Sequence, residues 1–182
     1  AINELVIFVL GTIWESRGIN SLLTAIEGLE NCRVLIAGNI PQKHIYEKIL
    51  NNPKVEYKGM LTQENTFKLY KLIDLVFVFY DPALAINKIA SPTKLYEAMM
   101  MGKPVIMNDE VKISKKIIEW DIGFTCGYND IVALRNLLRK LIKNRTVLEE
   151  KGKNAYFLHE RKFNWENYEP KFWEVLNEGM KS

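Results

Sequence analysis

Apolar residues in this chain fall into two alternating textures. Short runs rich in Val, Ile, Leu and Phe are separated by longer stretches in which apolar positions return every three or four residues. The first texture predicts strands buried on both faces, and the second predicts amphipathic helices. Glu4–Leu10 therefore reads as a strand, Gly11–Gly18 as a loop, and Ile19–Leu29 as a helix with Leu22, Leu23, Ile26 and Leu29 on its inner face. Arg33–Ala37 is a second strand ending at Gly38, Gln42–Leu50 a helix, and Val55–Lys58 a third strand ending at Gly59. Thr62 is placed to cap a helix over Gln63–Leu72. A fourth strand, Leu75–Tyr80, leads through the loop Asp81–Ala90 to a helix that begins at Ser91-Pro92 and stops at Gly102. Val105–Asn108 and Phe124–Cys126 are further strands, with helices over Ile113–Trp120 and Ile131–Lys143. Two closing helices follow, Thr146–Glu160 and Trp165–Glu178, the second kinked or started near Pro170.

Strands joined by helical crossovers imply an α/β fold: a doubly wound parallel sheet of six strands, with helices on both faces and closing helices at the C-terminal end. A chain of 182 residues suits one domain with a sizeable core. No repeat, low-complexity tract or linker divides it. Sheets of this kind bind ligands beyond the carboxyl ends of their strands, at the switch in strand order. The loops after the first four strands are accordingly where chemistry is expected.

Composition narrows the options without choosing among them. With 48% hydrophobic and 26% charged residues the chain resembles ordinary globular proteins, and a net charge of +3 is too small to argue for nucleic acid. Cys32 and Cys126 lie beside predicted strands without metal-ligand spacing, as expected of buried thiols in a reducing compartment. His44 and His159 fall in predicted helices of mixed polarity, where a surface or packing role is the simpler one. No apolar run is long enough to span a bilayer, and no signal peptide is visible. The strand pattern begins at once and no initiator Met is present, which leads us to expect a processed chain or a piece of a longer protein. There is no G-x-G-x-x-G after the first strand, no G-x-x-x-x-G-K-[ST], and no Asp-x-Asp pair to hold a metal on a diphosphate.

The densest signal is Ser91 through Ile106. The Ser91 hydroxyl suits an N-cap, Pro92 follows where its missing N–H costs nothing, Gly102 supplies a stop, and Pro104 can open a strand. Lys94 and Glu97 then lie in the first turns, where unpaired N–H groups and the positive end of the helix dipole attract phosphate. A carboxylate one turn further in suits the hydroxyls of a ribose. The plainer alternative is a surface ion pair three residues apart, contributing only ~0.3 kcal/mol and needing no such construction. Tyr96, Met99 and Met100 read as core packing. At the same sheet edge lie Gly11, Arg17-Gly18, Gly38-Asn39 and Gly59-Met60-Leu61. Each alone is also an ordinary strand-to-helix turn. Their joint placement is what favours readers of phosphate and sugar.

These residues together resemble the C-terminal domain of the group 1 (family 4, retaining) glycosyltransferases, which are built from two Rossmann-like domains. The resemblance runs through Gly11 with Arg17-Gly18, Leu35-Ile36-Ala37-Gly38, Val55 to Gly59, Tyr70 with Asp74, and Ser91 to Ile106. Phe163-Asn164-Trp165 is similar to the aromatic start of the family's last helix, which returns toward the partner domain. The resemblance implies a single Rossmann-like domain over residues 1–182 that binds a nucleoside-diphosphate sugar, a UDP- or GDP-sugar. It also implies a saccharide or lipid-linked acceptor held by an N-terminal domain not contained in this chain. It implies retaining hexosyl transfer with no metal or other cofactor, no nucleic-acid partner, and a cytoplasmic location, peripheral at the inner membrane face where the acceptor is lipid-linked. Carried over by position, Glu97 would hold the ribose hydroxyls, and Arg17 and Lys94 would face the diphosphate together with Ser91 and Thr93. Gly11 and Gly38 would line the site, and the backbone of Gly59, Met60 and Leu61 would contact the base.

Two positions depart from the family pattern. The carboxylate often found eight residues before the ribose-binding one is Ile89 here, and the arginine often found after the first-loop glycine is Thr12. Branches with Asn and Ser-Pro-x-Lys before the glutamate also lack that carboxylate, and Asn87 with Lys94 fits them. The departures keep two alternatives in view: a Rossmann-like interaction module that has lost catalysis, and a sugar-nucleotide epimerase of the same fold.

Overall fold

The computed structural model describes residues 4–179. Its centre is a six-stranded, all-parallel sheet in the order β3-β2-β1-β4-β5-β6, formed by β1 (Leu5–Leu10), β2 (Cys32–Ala37), β3 (Val55–Tyr57), β4 (Leu75–Val78), β5 (Val105–Asn108) and β6 (Gly123–Cys126). The α/β, Rossmann-like architecture expected from the sequence is present, and the order reverses between β1 and β4.

Period-two alternation along β1 sorts its side chains into two layers. Leu5, Ile7 and Val9 join a core with α1 (Ile19–Ile26), α2 (Lys43–Leu50) and α7 (Ile131–Lys143). Val6, Phe8 and Leu10 join the opposite core, together with Tyr70, Leu95, Ala98 and Ile117. Those four belong to the segment following α3 (Gln63–Leu69), to α5 (Thr93–Met100) and to α6 (Ser114–Glu119). Six consecutive buried positions in β1 explain why it is central: either face left open would expose a full row of aliphatic side chains, each costing ~1.5–3 kcal/mol.

Several boundaries differ from the sequence expectation, each for a local reason. The first helix stops at Ile26 because Glu27 turns extended and Gly28 takes φ +71°, although Leu29 is still buried. The fourth strand leaves the ladder at Val78. Phe79 and Tyr80 remain buried because the Asn108 side chain replaces a neighbouring strand: its Oδ1 accepts from Tyr80 N–H (2.8 Å) and its Nδ2 donates to the Tyr80 carbonyl (3.0 Å). The loop Asp81–Ala90 contains one helical turn, α4 (Ala85–Lys88), pinned where Asn87 Nδ2 donates to the Asp81 carbonyl.

At the C-terminal end, α8 (Thr146–Leu158) widens into a π turn over His159–Phe163, and a 3-10 turn over Trp165–Asn167 precedes α9 (Glu169–Gly179). The closing helix therefore starts just before Pro170 rather than at Trp165. Asp74, paired with Arg145, also accepts from Val6 N–H at 2.8 Å, so it ties β4 to β1. Both cysteines are free and buried, and burial pushes the thiols up to about 11 for Cys32 and about 12 for Cys126, which leaves them unreactive. His44 is exposed near Glu15, whereas His159 is buried against the helix end. No helix among the described residues is long and apolar enough to cross a membrane.

Candidate functional site

The site begins where β1 and β2 end side by side. Gly11 N–H donates to the Ala37 carbonyl (2.9 Å) and Gly38 N–H to the Gly59 carbonyl (2.8 Å). Gly11 has φ +91° and Gly38 φ +136°, a region that residues with a Cβ rarely enter. A Cβ on Gly38 would fall on the Gly11 carbonyl, and one on Gly11 would stand 3.0 Å from Lys94 Cε. The glycine pair thus lets two strand ends touch and lets Lys94 fold back against them. Gly38→Ala is expected to destabilise the protein by ~2 kcal/mol or more, through strain added to overlap. A thermal melt within a degree of the parent would contradict this account of the corner.

Across from the glycines stands the start of α5. Leu10, Gly11, Gly38, Thr93, Lys94 and Glu97 face one cleft of about 400 Å³, which Leu61, Gln63, Thr66 and Phe67 also line. Helix α5 begins at Thr93 with Pro92 in the cap position and no side-chain cap. Ser91 therefore does not cap the helix as expected: its Oγ lies 2.8 Å from the Tyr96 hydroxyl and is engaged there. The Thr93 and Lys94 amides remain at the helix start, since the first bond back to the cap is Leu95 N–H to the Pro92 carbonyl.

Arg17 approaches from the β1 loop. Trp14 to Gly18 form a 3-10 turn closed by Gly18 at φ +69°, and a Cβ on Gly18 would strike the Phe79 ring. The turn lays the guanidinium over the Tyr80 ring, 4.0 Å from its centroid. Tyr80 is itself held by Asn108, whose Nδ2 also reaches Glu110 (2.8 Å). Arg17 Nη1 is buried without a hydrogen-bond partner among the described residues.

Electrostatics make this an unfinished site. Burial, followed by the Arg17 charge, pushes the Lys94 ammonium down to about 8, with Glu97 opposing. Burial likewise raises the Glu97 carboxyl above its ordinary value, with Lys94 opposing. The surface Lys94–Glu97 ion pair considered as the plain alternative is not formed, and neither Arg17 nor Lys94 has a carboxylate within ion-pair distance among the described residues. Two mutually repelling cations beside free helix amides are stabilised by an anion placed between them.

Of the sequence candidates, the structure gathers Gly11, Gly38, Leu61, Thr93, Lys94 and Glu97 around the cleft, with Arg17 within electrostatic reach of Lys94. Gly59 acts from behind, through its carbonyl, while Met60 is 78% exposed and Ser91 points to Tyr96. Ile89 is 67% exposed on the turn after α4. Thr66 and Phe67 on the wall, Tyr80 under Arg17, and Asn108 under Tyr80 were not found by sequence reasoning. The α3 pair looked like any amphipathic face, and the other two sat in apolar strand runs. No group of three or more His, Cys, Asp or Glu side chains able to hold a metal occurs among the described residues.

The doubly wound parallel sheet, with the start of α5 and Glu97 at its carboxyl edge, makes this a Rossmann-like domain. The family model for glycosyl transferases group 1 matches residues 2–157, and the chain belongs to that family. Among solved structures, it is similar to a sucrose-phosphate synthase from Thermosynechococcus elongatus (18% identity, TM-score 0.77, covering 100% of this chain and 47% of that one). It is also similar to the C-terminal domain of a group 1 family glycosyl transferase, LpcC, from Francisella tularensis (17%, TM-score 0.68, covering 87% and 86%). A third is Anabaena HepE, solved in complex with UDP and glucose (17%, TM-score 0.76, covering 96% and 48%). At these identities the likeness is one of fold. The chain spans about half the length of the sucrose-phosphate synthase and HepE chains. No curated protein sequence matches it.

Proposed function

We propose that this domain binds the nucleoside-diphosphate sugar donor of a retaining glycosyltransferase. The observation that carries the reading is the Lys94 ammonium at the start of α5, under the charge of Arg17, whose Nη1 is buried without a hydrogen-bond partner among the described residues, with Glu97 one turn deeper in the same cleft. In this arrangement the diphosphate lies between the two cations and the Thr93 and Lys94 amides. Glu97 accepts from the ribose hydroxyls, and the base lies toward Gly38 and Leu61. As the bond between the anomeric carbon and the diphosphate oxygen breaks, negative charge grows on the leaving phosphate, and Arg17 and Lys94 neutralise it without a metal. The acceptor hydroxyl oxygen forms the new bond on the face the diphosphate leaves, and its proton passes to the departing phosphate.

Binding of the acceptor, a saccharide or lipid-linked saccharide, falls to a second domain preceding this one. Little turnover is therefore expected from this domain without the second. Ile89 and Thr12 bear on contacts to the donor sugar rather than to the nucleotide. HepE, which shares the fold, was solved with UDP and supports a uridine donor, with a guanosine donor as the alternative. Calorimetric titration with UDP, GDP and ADP is the test. Saturable binding of UDP or GDP is expected, and absence of binding by all three would overturn the reading.

A further inference from the structure

Beneath the cleft lies a polar group that the function just proposed does not use. Tyr70 follows α3, is 0% exposed, and packs edge-on against Phe8 of β1 with centroids 5.4 Å apart. It also meets Phe67, which forms part of the cleft wall, at 6.1 Å. Leu95 and Ala98, which flank Glu97 in α5, share its core cluster. Its hydroxyl is buried and has no hydrogen-bond partner among the described residues. A buried O–H left unmade is costly, and such groups are rare in folded proteins unless something else occupies them.

One acceptor stands close by with spare capacity. Glu97 is half-buried, its carboxylate makes no hydrogen bond among those found for the described residues, and its charge acts on the Tyr70 phenol. Burial first, and that charge second, keep the phenol protonated and hence a donor. An unused donor packed against the cleft-lining Phe67 thus lies within electrostatic reach of an unused acceptor that lines the same cleft on a flexible side chain.

We propose that Tyr70 is a positioning residue for Glu97: when a nucleotide enters, the carboxylate settles with one oxygen accepting from the Tyr70 hydroxyl and the other accepting from the ribose diol. The inference rests on the donor-binding reading above. It explains why a phenol, rather than a phenylalanine, occupies an apolar pocket in the ligand-free protein. It also assigns Tyr70 to recognition of the sugar hydroxyls, not of phosphate or base.

The test compares the parent chain with Tyr70→Phe, using UDP and 2′,3′-dideoxy-UDP in calorimetry and a thermal melt of the ligand-free protein. Tyr70→Phe should melt at or above the parent temperature and bind UDP about three- to tenfold more weakly. Both proteins should bind the dideoxy analogue equally, and Tyr70→Phe should add nothing in a Glu97→Ala background. Unchanged UDP affinity, or equal losses for both nucleotides, would overturn the proposal. So would a lowered or absent melting transition, since the hydroxyl would then be structural without ligand. If the parent binds neither nucleotide, the donor reading itself fails, a result separate from all of these.

Discussion

Lys94→Met is expected to weaken UDP binding while making the ligand-free protein more stable at neutral pH. The ammonium titrates near 8 in the fold against an ordinary 10.5, so between those values the unfolded chain holds more protons than the folded one. Stability of the parent therefore rises as pH increases from about 8 toward 10.5, and below 8 the full penalty of the buried charge is present. At 1.36 kcal/mol per pH unit of displacement, the penalty has an upper figure of about 3 kcal/mol. Lys94→Met removes it, so the variant should melt above the parent at pH 7, and the difference should close toward pH 10. A diphosphate reverses the balance, because it favours the charged form. Loss of that charge-assisted contact should cost ~10- to 100-fold in UDP affinity. For the parent, binding above pH 8 must take up a proton, and affinity should fall by up to about tenfold per pH unit. Calorimetry at pH 7, 8 and 9 in buffers of different ionisation enthalpy measures both quantities. A pH-independent affinity with no proton uptake would remove Lys94 from the diphosphate site.

The second large effect is expected from Glu97. The carboxylate is held above its ordinary titration range by burial, so it too stands in a place that stability alone would not choose. A hydrogen bond to a charged acceptor contributes ~1.5–3 kcal/mol net of exchange with water, so losing even one of the two ribose contacts in Glu97→Ala should weaken UDP by ~10- to 100-fold. Glu97→Gln should fall between the parent and Ala, because the amide oxygen still accepts but carries no charge. Binding of 2′,3′-dideoxy-UDP should be nearly the same in all three proteins. Equal affinity of Glu97→Ala and parent for UDP would remove the ribose role. The two cations, the carboxylate and the unpaired Tyr70 hydroxyl form a cluster of individually unfavourable groups, as is common where a fold gives up stability to prepare a ligand site.

Much of the domain was legible in the chain. Six apolar runs with helical stretches between them pointed to a parallel sheet, since the central strand β1 and its neighbours β2 and β4 carry aliphatic side chains buried on both faces. The glycines after β1 and β2 marked the sheet edge, and Lys94 with Glu97 marked the helix start. Where the reading failed, competition between hydrogen-bond partners decided the outcome. Ser91 has the chemistry of a cap, yet the Tyr96 hydroxyl one turn away takes its Oγ. Tyr80 has the pattern of a strand residue, yet the Asn108 amide takes its backbone groups. Neither choice is written in local spacing.

The sequence by itself determined which segments would be strands and helices, the parallel sheet they form, and the family. Apolar periodicity and turn residues act over a few positions and leave little freedom at that level. Only the tertiary structure decided that Lys94 folds back over Gly11 instead of pairing with Glu97. Only there does Arg17 stack on Tyr80, with Nη1, like the Tyr70 hydroxyl, buried without a hydrogen-bond partner among the described residues. Each of those outcomes depends on which groups are removed from water together. Desolvation is a property of the assembled core, shared by residues far apart in the chain, as Arg17 and Lys94 are at 77 positions.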